Sequence, residues 1–168
     1  ACLAGVNGGY FHATRAPLGL VVSDGVLLSP RAPSSLATGI IRVKPGAIEL
    51  LRLEESKPDP ATRQALQAGP FLVDQFTPVP GLNATRPARR TFVLSNGRGL
   101  WALGIASSPT LASLGELLAQ GHGGIAAQRA LNLDGGASTA FWFYRGGTND
   151  IYRPEINAVR NYLGVVPR

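Results

Sequence analysis

Apolar and polar residues alternate in short segments, and turns that contain glycine separate these segments into pairs. Three such pairs predict β-hairpins, with turns at residues 23–25, 44–46 and 96–99. The Asn96-Gly97 pair is the strongest turn signal, because both residues tolerate a positive φ. The predicted hairpin strands are residues 18–22 with 26–28, 39–43 with 47–53, and 91–95 with 100–106.

Two further segments carry helix signals. Asp59 followed by Pro60 is typical of a helix N-cap with proline in the first helical position, and it predicts a helix that runs to Gln67. Leucines recur on one side of residues 110–120, which indicates an amphipathic helix that ends at Gly121. The sequence therefore predicts two main helices.

Together these elements predict one α+β domain over residues 1–168, with a mixed, largely antiparallel sheet and the two helices. His122 is interpreted as a C-cap residue of the second helix. The proline-rich residues 77–87 predict a surface connector, and the alternative is a lid over a binding site.

Composition limits the partners that we expect for this chain. The net charge is +6 and comes almost entirely from arginine, which indicates either coding bias or an anionic ligand bound by guanidinium groups. The positive residues are scattered, so we expect no nucleic-acid groove. No apolar run approaches the ~18 residues of a membrane span, and the single cysteine cannot form an internal disulfide.

A strand near the carboxyl end is followed by groups that can take part in chemistry. Asp134 comes directly after the apolar run 130–133, and Gly135-Gly136 then permit a sharp turn and the close approach of a ligand. Ser138 and Thr139 add hydroxyl groups. This combination predicts a binding site, and the alternative is a glycine-rich turn in which Asp134 caps amides of its own loop.

A similar combination lies near the amino end. Asn7 can both donate and accept hydrogen bonds, and Gly8-Gly9 again permit close approach. Tyr10 and Phe11 provide either a sugar-stacking face or part of the core. His12 is interpreted either as a surface residue or as a proton carrier near neutral pH.

Five segments resemble, in order and over nearly the whole chain, the motifs of the phosphodiester glycosidase family, the bacterial relatives of the lysosomal uncovering enzyme. They are Asn7-Gly8-Gly9-Tyr10-Phe11, Gly69-Pro70-Phe71-Leu72-Val73, Arg86-Pro87-Ala88-Arg89-Arg90-Thr91, Asn132-Leu133-Asp134-Gly135-Gly136-Ala137-Ser138 and residues 157–165. Two positions depart from the family pattern. Ala137 replaces a third glycine, and His12 stands where many members have an acidic residue.

The resemblance implies a hydrolase that cleaves the bond between the anomeric carbon and phosphate in a sugar-1-phosphodiester of the N-acetylglucosamine type. Its phosphate leaving group is already stable as an anion, so a strong general acid is less necessary than for an ordinary glycoside. The expected partner is a sugar phosphodiester or phosphorylated glycan of exopolysaccharide or other carbohydrate metabolism, with no cofactor and no metal. We expect a periplasmic or extracellular location, with any signal peptide or anchor outside this sequence, which lacks methionine.

The reaction still requires a carboxylate, and the chain has only ten acidic residues. Asp134 has the best context and is the expected central carboxylate. Glu155 is the expected second carboxylate, with Asp150 in the same loop and Asp74 as alternatives.

The phosphate requires cations, and Arg90 or Arg89 is expected to bind it with assistance from Arg145. The predicted catalytic residues are thus Asp134, Glu155 and Arg90. The predicted substrate-binding residues are Asn7, Gly8, Gly9, Tyr10, Arg89, Asn132, Gly135, Gly136, Ser138 and Thr139.

Two alternative functions remain. The stronger is a non-catalytic module that binds a glycan or an anion in the cell envelope or in exopolysaccharide metabolism. The weaker is a metal-dependent phosphodiesterase, which needs clustered histidine and carboxylate ligands, whereas the two histidines lie far apart in the sequence.

Overall fold

The computed structural model describes residues 2–121, 123–147 and 149–167. Its strands are β1 (Ala4–Asn7), β2 (Val21–Ser23), β3 (Val26–Ser29), β4 (Gly39–Lys44), β5 (Ala47–Arg52), β6 (Gln64–Ala68), β7 (Phe71–Asp74), β8 (Thr77–Pro78), β9 (Arg90–Ser95), β10 (Trp101–Ala106), β11 (Arg129–Asn132), β12 (Phe141–Phe143), β13 (Ile151–Arg153) and β14 (Tyr162–Val165). The helix α1 spans Leu111–Gln120, and Gly136–Ser138 forms a short 3-10 turn. His122, the predicted C-cap residue, lies outside the described residues.

The strands form three antiparallel sheets. The first has the order β13-β12-β1-β14, the second β10-β9-β11-β7-β8 and the third β3-β2-β6-β4-β5. The first sheet pairs β1 on one side with β12 and on the other with β14, so it joins the amino-terminal strand to the carboxyl-terminal one.

The predicted α+β class with two main helices is wrong. Strands account for 38% of the chain and helical residues for 8%, and α1 is the one α-helix in the described ranges. The helix expected from Asp59 to Gln67 is absent. Asp59 Oδ1 instead accepts a hydrogen bond from Ala61 N at 2.9 Å, which caps a turn, and the chain then continues into β6.

Tertiary contacts explain why residues 64–68 form a strand. β6 lies between β2 and β4, and both neighbours pair with it. The Gln67 side chain is buried, and its Nε2 donates to Ala32 O at 2.7 Å and to Ala37 O at 3.0 Å. Its Oε1 accepts from Leu20 N at 3.0 Å. These bonds need residues far away in the sequence, so a local helix signal could not reveal them.

The three predicted hairpins are confirmed as β2–β3, β4–β5 and β9–β10. The amphipathic helix is confirmed as α1. The Thr110 hydroxyl accepts a hydrogen bond from Ser113 N in a capping box, and Gly121 ends the helix with φ 88°.

One core lies between the three sheets. It takes Val6 from the first sheet, Val93 and Leu131 from the second, and Ile41 and Leu66 from the third. A second cluster packs α1 against the outer face of the second sheet, through Leu114 and Leu118 of the helix.

Of the predicted connector, Thr77–Pro78 form β8 and residues 79–87 form a connector that packs on α1. Asn83 O accepts a hydrogen bond from Ala112 N at 3.1 Å, and Leu82 packs against the cluster beneath the helix. In the described part of the chain, no helix is long and apolar enough to cross a membrane.

Candidate active site

The two glycine-rich motifs meet where β1 and β11 end. Asp134 N donates a hydrogen bond to Gly8 O at 2.9 Å, and Asn7 Nδ2 donates to Asp134 O at 2.7 Å. Two segments more than 120 residues apart in the sequence are therefore in direct contact. This contact brings Asp134, the predicted central carboxylate, next to Asn7, a predicted substrate-binding residue.

Asn7 fixes the backbone around this contact. Its side chain is completely buried, and its Oδ1 accepts hydrogen bonds from Thr91 Oγ1 at 2.7 Å and from Ala140 N at 3.0 Å. Together with the Asp134 bond, these contacts occupy both ends of the amide. Asn7 thus acts on the site through the segments that it holds together.

The amides of Gly8 and Gly9 are bound by a residue near the carboxyl end. Gly8 N donates to Asn161 O at 2.9 Å, and Gly9 N donates to Asn161 Oδ1 at 2.7 Å. A β-carbon added at Gly9 would lie 2.7 Å from Gln67 O, so the close approach requires glycine here. These amides, predicted as donors for an anion, are occupied within the protein.

Asp134 lies just beyond the paired end of β11, and Arg90 is the first residue of the neighbouring strand β9. The pairing of β11 with β9 extends beyond Asn132, because Leu133 N donates to Thr91 O at 2.8 Å. Asp134 follows Leu133 directly, and Arg90 directly precedes Thr91. This pairing brings Asp134 and Arg90 to the same end of the second sheet.

The Asp134 carboxylate is partly buried at this position. Desolvation by burial raises the pKa of this carboxyl above its ordinary value, while the Ser138 hydroxyl and the Gly135 amide oppose that shift. Gly135 N donates to Asp134 Oδ1 at 2.9 Å. Asp134 therefore caps its own loop and also presents a carboxylate that is easier to protonate than a solvated one.

Tyr10 and Asn132 lie beside this carboxylate. The Tyr10 hydroxyl donates to Gly69 O at 2.6 Å and accepts from Asn132 Nδ2 at 3.1 Å. Burial, followed by the negative charge of Asp134, raises the pKa of Tyr10 to about 12, and the Asn132 hydrogen bond and the Arg90 charge act in the opposite direction. Tyr10 is thus within electrostatic reach of both charged residues. We call Asp134, Arg90, Tyr10 and Asn132 the Asp134 face.

The two predicted phosphate-binding arginines are held separately. Arg90 Nη2 donates to Arg86 O at 2.9 Å, and Arg90 Nε lies 3.5 Å from Pro109 O. Arg89 Nη2 donates to Thr139 O at 2.7 Å. The two guanidinium groups therefore bind different backbone segments, Arg90 the loop before α1 and Arg89 the residue after the Gly136–Ser138 turn.

Glu155 flanks the loop that follows Asp134. Ile156 N and Asn157 N donate to Ala137 O at 2.7 and 3.1 Å, which docks the Glu155 segment on the Gly136–Ser138 turn. Glu155 Oε1 accepts a hydrogen bond from Tyr162 OH at 2.9 Å. Glu155 is therefore close in the fold to the loop of Asp134. Its carboxylate, however, is hydrogen-bonded to Tyr162 of β14.

The other candidate side chains have no contact with the Asp134 face in the described structure. Asp74 forms ion pairs with Arg52 and Arg129 at the opposite end of β11. At ~3.3 Å per residue, the five residues from Arg129 to Asp134 separate these two ends by about 16 Å. Asp150 Oδ1 accepts from Arg145 N in an exposed loop, and His12 is exposed in a turn.

Ser138 and Thr139 are both buried beneath the loop. Thr139 Oγ1 has no hydrogen-bond partner in the described structure. Within residues 2–121, 123–147 and 149–167, no group of three or more His, Cys, Asp and Glu side chains could hold a metal ion.

Two functional contacts were not assigned from the sequence. Thr91 binds the Asn7 amide, and Asn161 binds the Gly8 and Gly9 amides. Both residues lie in segments that carry the family resemblance, and this resemblance was the one sequence signal that could have indicated them. Their bonding partners could not be predicted, because they depend on how distant strands pair.

The sequence profile of the phosphodiester glycosidases (NAGPA) matches residues 1–166 of the chain. The chain belongs to the phosphodiester glycosidase family. No curated protein sequence matches it.

Solved structures add information about the fold of this phosphodiester glycosidase family member. The catalytic domain of zebrafish N-acetylglucosamine-1-phosphodiester alpha-N-acetylglucosaminidase (NAGPA), auto-inhibited by its pro-peptide, superimposes with a TM-score of 0.68 at 17% identity. The match covers 99% of this chain and 64% of the zebrafish chain, so it shows a shared fold over part of that protein. A hypothetical protein from Synechocystis matches at a TM-score of 0.49 and 17% identity, over 83% of this chain and 47% of that one, and adds nothing to the assignment.

Within this phosphodiester glycosidase family member, the Asp134 face combines a carboxylate, a cation and two fixed polar side chains. Asp134 supplies a carboxylate with a raised pKa, and Arg90 supplies a permanent positive charge within electrostatic reach of Tyr10. The Tyr10 hydroxyl remains protonated at neutral pH, and both of its hydrogen-bond functions are occupied by the protein. Tyr10 and Asn132 therefore form a fixed wall beside the two charges.

Proposed function

We propose that this protein hydrolyses the bond between the anomeric carbon of a sugar and a phosphate oxygen in a sugar-1-phosphodiester. The observation that carries the proposal is the placement of Asp134. Its carboxylate is partly buried and has a raised pKa, and it lies, as Arg90 does, close enough to Tyr10 to shift the pKa of that hydroxyl, in a member of the phosphodiester glycosidase family.

In the proposed reaction, Asp134 accepts a proton from the water that attacks the anomeric carbon. A raised pKa suits this role, because a base works best when its pKa approaches the working pH. The bond from the anomeric carbon to the phosphate oxygen breaks, and its electron pair leaves with the phosphate monoester. Arg90 stabilises the negative charge of the phosphate, and Glu155 is the proposed second carboxylate.

The proposal is tested by the release of free sugar from UDP-N-acetylglucosamine and from an aryl phosphodiester of N-acetylglucosamine. Asp134→Asn is expected to lower kcat at least ~100-fold, since positioned acid–base groups contribute about 10²–10⁴ in rate. Asp24→Asn is the matched control, because Asp24 lies in an exposed turn with φ 50°, which asparagine tolerates. Thermal unfolding of both variants verifies that they fold.

Normal turnover in Asp134→Asn would exclude Asp134 as the catalytic carboxylate. Binding of these compounds without release of sugar by the wild-type protein would favour the alternative, a non-catalytic module for glycans or anions. Sugar release that depends on Asp134 supports the enzyme.

The finer parts of the proposal rest on the family resemblance. We include N-acetylglucosamine as the sugar, a role in exopolysaccharide metabolism, and a periplasmic or extracellular location. Release of N-acetylglucosamine, compared with release of glucose and galactose from matched phosphodiesters, tests the sugar. Fractionation of the cells that make the protein tests its location.

A further inference from the structure

Arg89 binds the loop of residues 135–139, here named the Asp134 loop, at two points. Gly136 N donates a hydrogen bond to Arg89 O at 2.8 Å, and Arg89 Nη2 donates to Thr139 O at 2.7 Å. One residue therefore holds this loop near its beginning and at its end. The guanidinium bond is charge-assisted, and such bonds are roughly twice as strong as neutral ones.

The Asp134 loop needs such support because of its glycines. Gly136 has a φ of 59°, and two consecutive glycines give the unrestrained backbone more conformations than other residues would. Arg89 O also packs against Gly135, where an added β-carbon would lie 2.7 Å away from it. At the middle of the loop, the backbone amides of residues 156–157 donate to Ala137 O. Arg89 adds a side-chain bond that fixes the position of the loop's end.

The Asp134 loop carries the two donors that act on the Asp134 carboxylate. Gly135 N donates to Asp134 Oδ1 at 2.9 Å, and the Ser138 hydroxyl is the second donor. Both oppose the rise that burial causes in the pKa of this carboxyl. Gly135 lies next to the first point held by Arg89, and Ser138 lies between the two points. A loop released from Arg89 would therefore move both donors.

Other charged and titratable groups around the carboxylate do not depend on Arg89. They are Tyr10, which follows β1, and Arg90 on β9, and neither is hydrogen-bonded to Arg89 in the described structure. The carboxylate of Glu155, on the segment packed against the Asp134 loop, is bonded to Tyr162. Substitution of the Arg89 side chain therefore acts on the loop and leaves these groups in place.

We propose that Arg89 is a positioning residue for Asp134. Its two bonds fix the Asp134 loop, so that the Gly135 amide and the Ser138 hydroxyl stay on the carboxylate. This inference rests on the proposed function, in which Asp134 is the base. It gives Arg89 a contact within the protein in place of the phosphate contact expected from the sequence.

The kinetics of sugar release separate a positioning role from a phosphate contact. Arg89→Ala is expected to lower kcat about 10- to 100-fold, because a group misplaced by about 1 Å can cost ~100-fold in rate. The KM for the aryl phosphodiester of N-acetylglucosamine should change little. A rise in KM at unchanged kcat would indicate a phosphate contact and overturn the proposal. The control Arg98→Ala removes an exposed arginine of the β9–β10 turn and should leave both constants unchanged.

The pH profile tests the two donors. Asp134 works as a base when it is ionised, so kcat/KM falls on the acid side as the carboxylate becomes protonated. Loss of the Gly135 and Ser138 donors raises the pKa of Asp134, so this acid limb should move to higher pH in Arg89→Ala. A role confined to folding would lower the Tm without moving the acid limb, and that result would contradict the proposal.

Two further variants separate the hydrogen bond from the charge. Arg89→Gln keeps a donor for Thr139 O without the charge, and Arg89→Lys keeps a donor and the charge. Each should restore part of the kcat lost in Arg89→Ala and move the acid limb back. If Arg89→Gln behaved as Arg89→Ala does while Arg89→Lys matched the wild type, the effect would come from charge alone and the positioning role would be wrong.

The same effect is measured without turnover. The carbon chemical shift of the Asp134 carboxyl, followed against pH, gives its folded-state pKa in the wild type, Arg89→Ala and Arg98→Ala. Arg89→Ala should raise this pKa, and the amides of the Asp134 loop should exchange their hydrogens faster. Arg98→Ala should change neither.

The outcomes separate this inference from the proposed function. If sugar release depends on Asp134 but the carboxyl pKa and the amide exchange are unchanged in Arg89→Ala, the positioning role alone fails. If the wild-type protein releases no sugar, the proposed function fails. The carboxyl titration then still decides whether Arg89 holds the loop that binds the carboxylate.

Discussion

Asn7 is expected to be essential for stability because its amide joins three segments of the fold. Asn7→Ala removes the hydrogen bonds to Asp134 O, Thr91 Oγ1 and Ala140 N, which measure 2.7, 2.7 and 3.0 Å. Each bond contributes about 1 kcal/mol, and buried partners that lose their bond add to the cost. The total is about 3–5 kcal/mol, a large part of the roughly 5–15 kcal/mol that stabilises a typical domain.

Thermal unfolding measures this effect. A change of 1 kcal/mol shifts the Tm of a domain of this size by about 2–4 °C, so Asn7→Ala should lower the Tm by roughly 10 °C or more. The matched control is Asn157→Ala, because Asn157 is exposed and contacts Ala137 O through its backbone amide alone in the described structure. A Tm loss in Asn7→Ala no larger than that in Asn157→Ala would refute the reasoning.

Three further predictions concern stability and pH. Gly9→Ala should lower the Tm, at a cost of about 1–3 kcal/mol, because the new methyl group would lie 2.7 Å from Gln67 O. Asp134→Asn should raise the Tm slightly at pH 7 and not at pH 3. The folded-state pKa of Asp134 is raised, so its ionisation weakens the fold above that pKa, and the penalty disappears at low pH. Asp74→Asn should lower the Tm through loss of its ion pair with Arg129 and leave sugar release unchanged, whereas a fall in kcat at constant Tm would argue for a catalytic Asp74.

The local parts of the fold could be predicted from the sequence. Turn residues defined the three hairpins, and a one-sided leucine pattern with Gly121 at its end defined α1. The segment from Asp59 to Gln67 could not be predicted in this way. Its helix signal is real, but pairing with β2 and β4 and the buried bonds of Gln67 favour a strand.

The two motifs that form the candidate site could be predicted from the sequence, but the hydrogen-bond partners of their residues could not. The motifs that carry Asn7 and Asp134 pointed to a common site, and the structure brings them into contact. The sequence could not show that Asn161 occupies the Gly8 and Gly9 amides, or that Arg89 and Arg90 bind different backbone segments. Those properties depend on strand register and on pairing between opposite ends of the chain.

The pairing of β1 with β14 has a consequence for how activity arises during synthesis. Asn161 directly precedes β14, and its contacts hold the backbone that positions Asp134. A ribosome-bound chain that ends before β14 cannot complete the Asp134 face, however well its earlier hairpins have formed. Hydrolysis should therefore appear only after translation has passed β14, and fragments cut before it should be inert until the missing strand is supplied as a separate peptide.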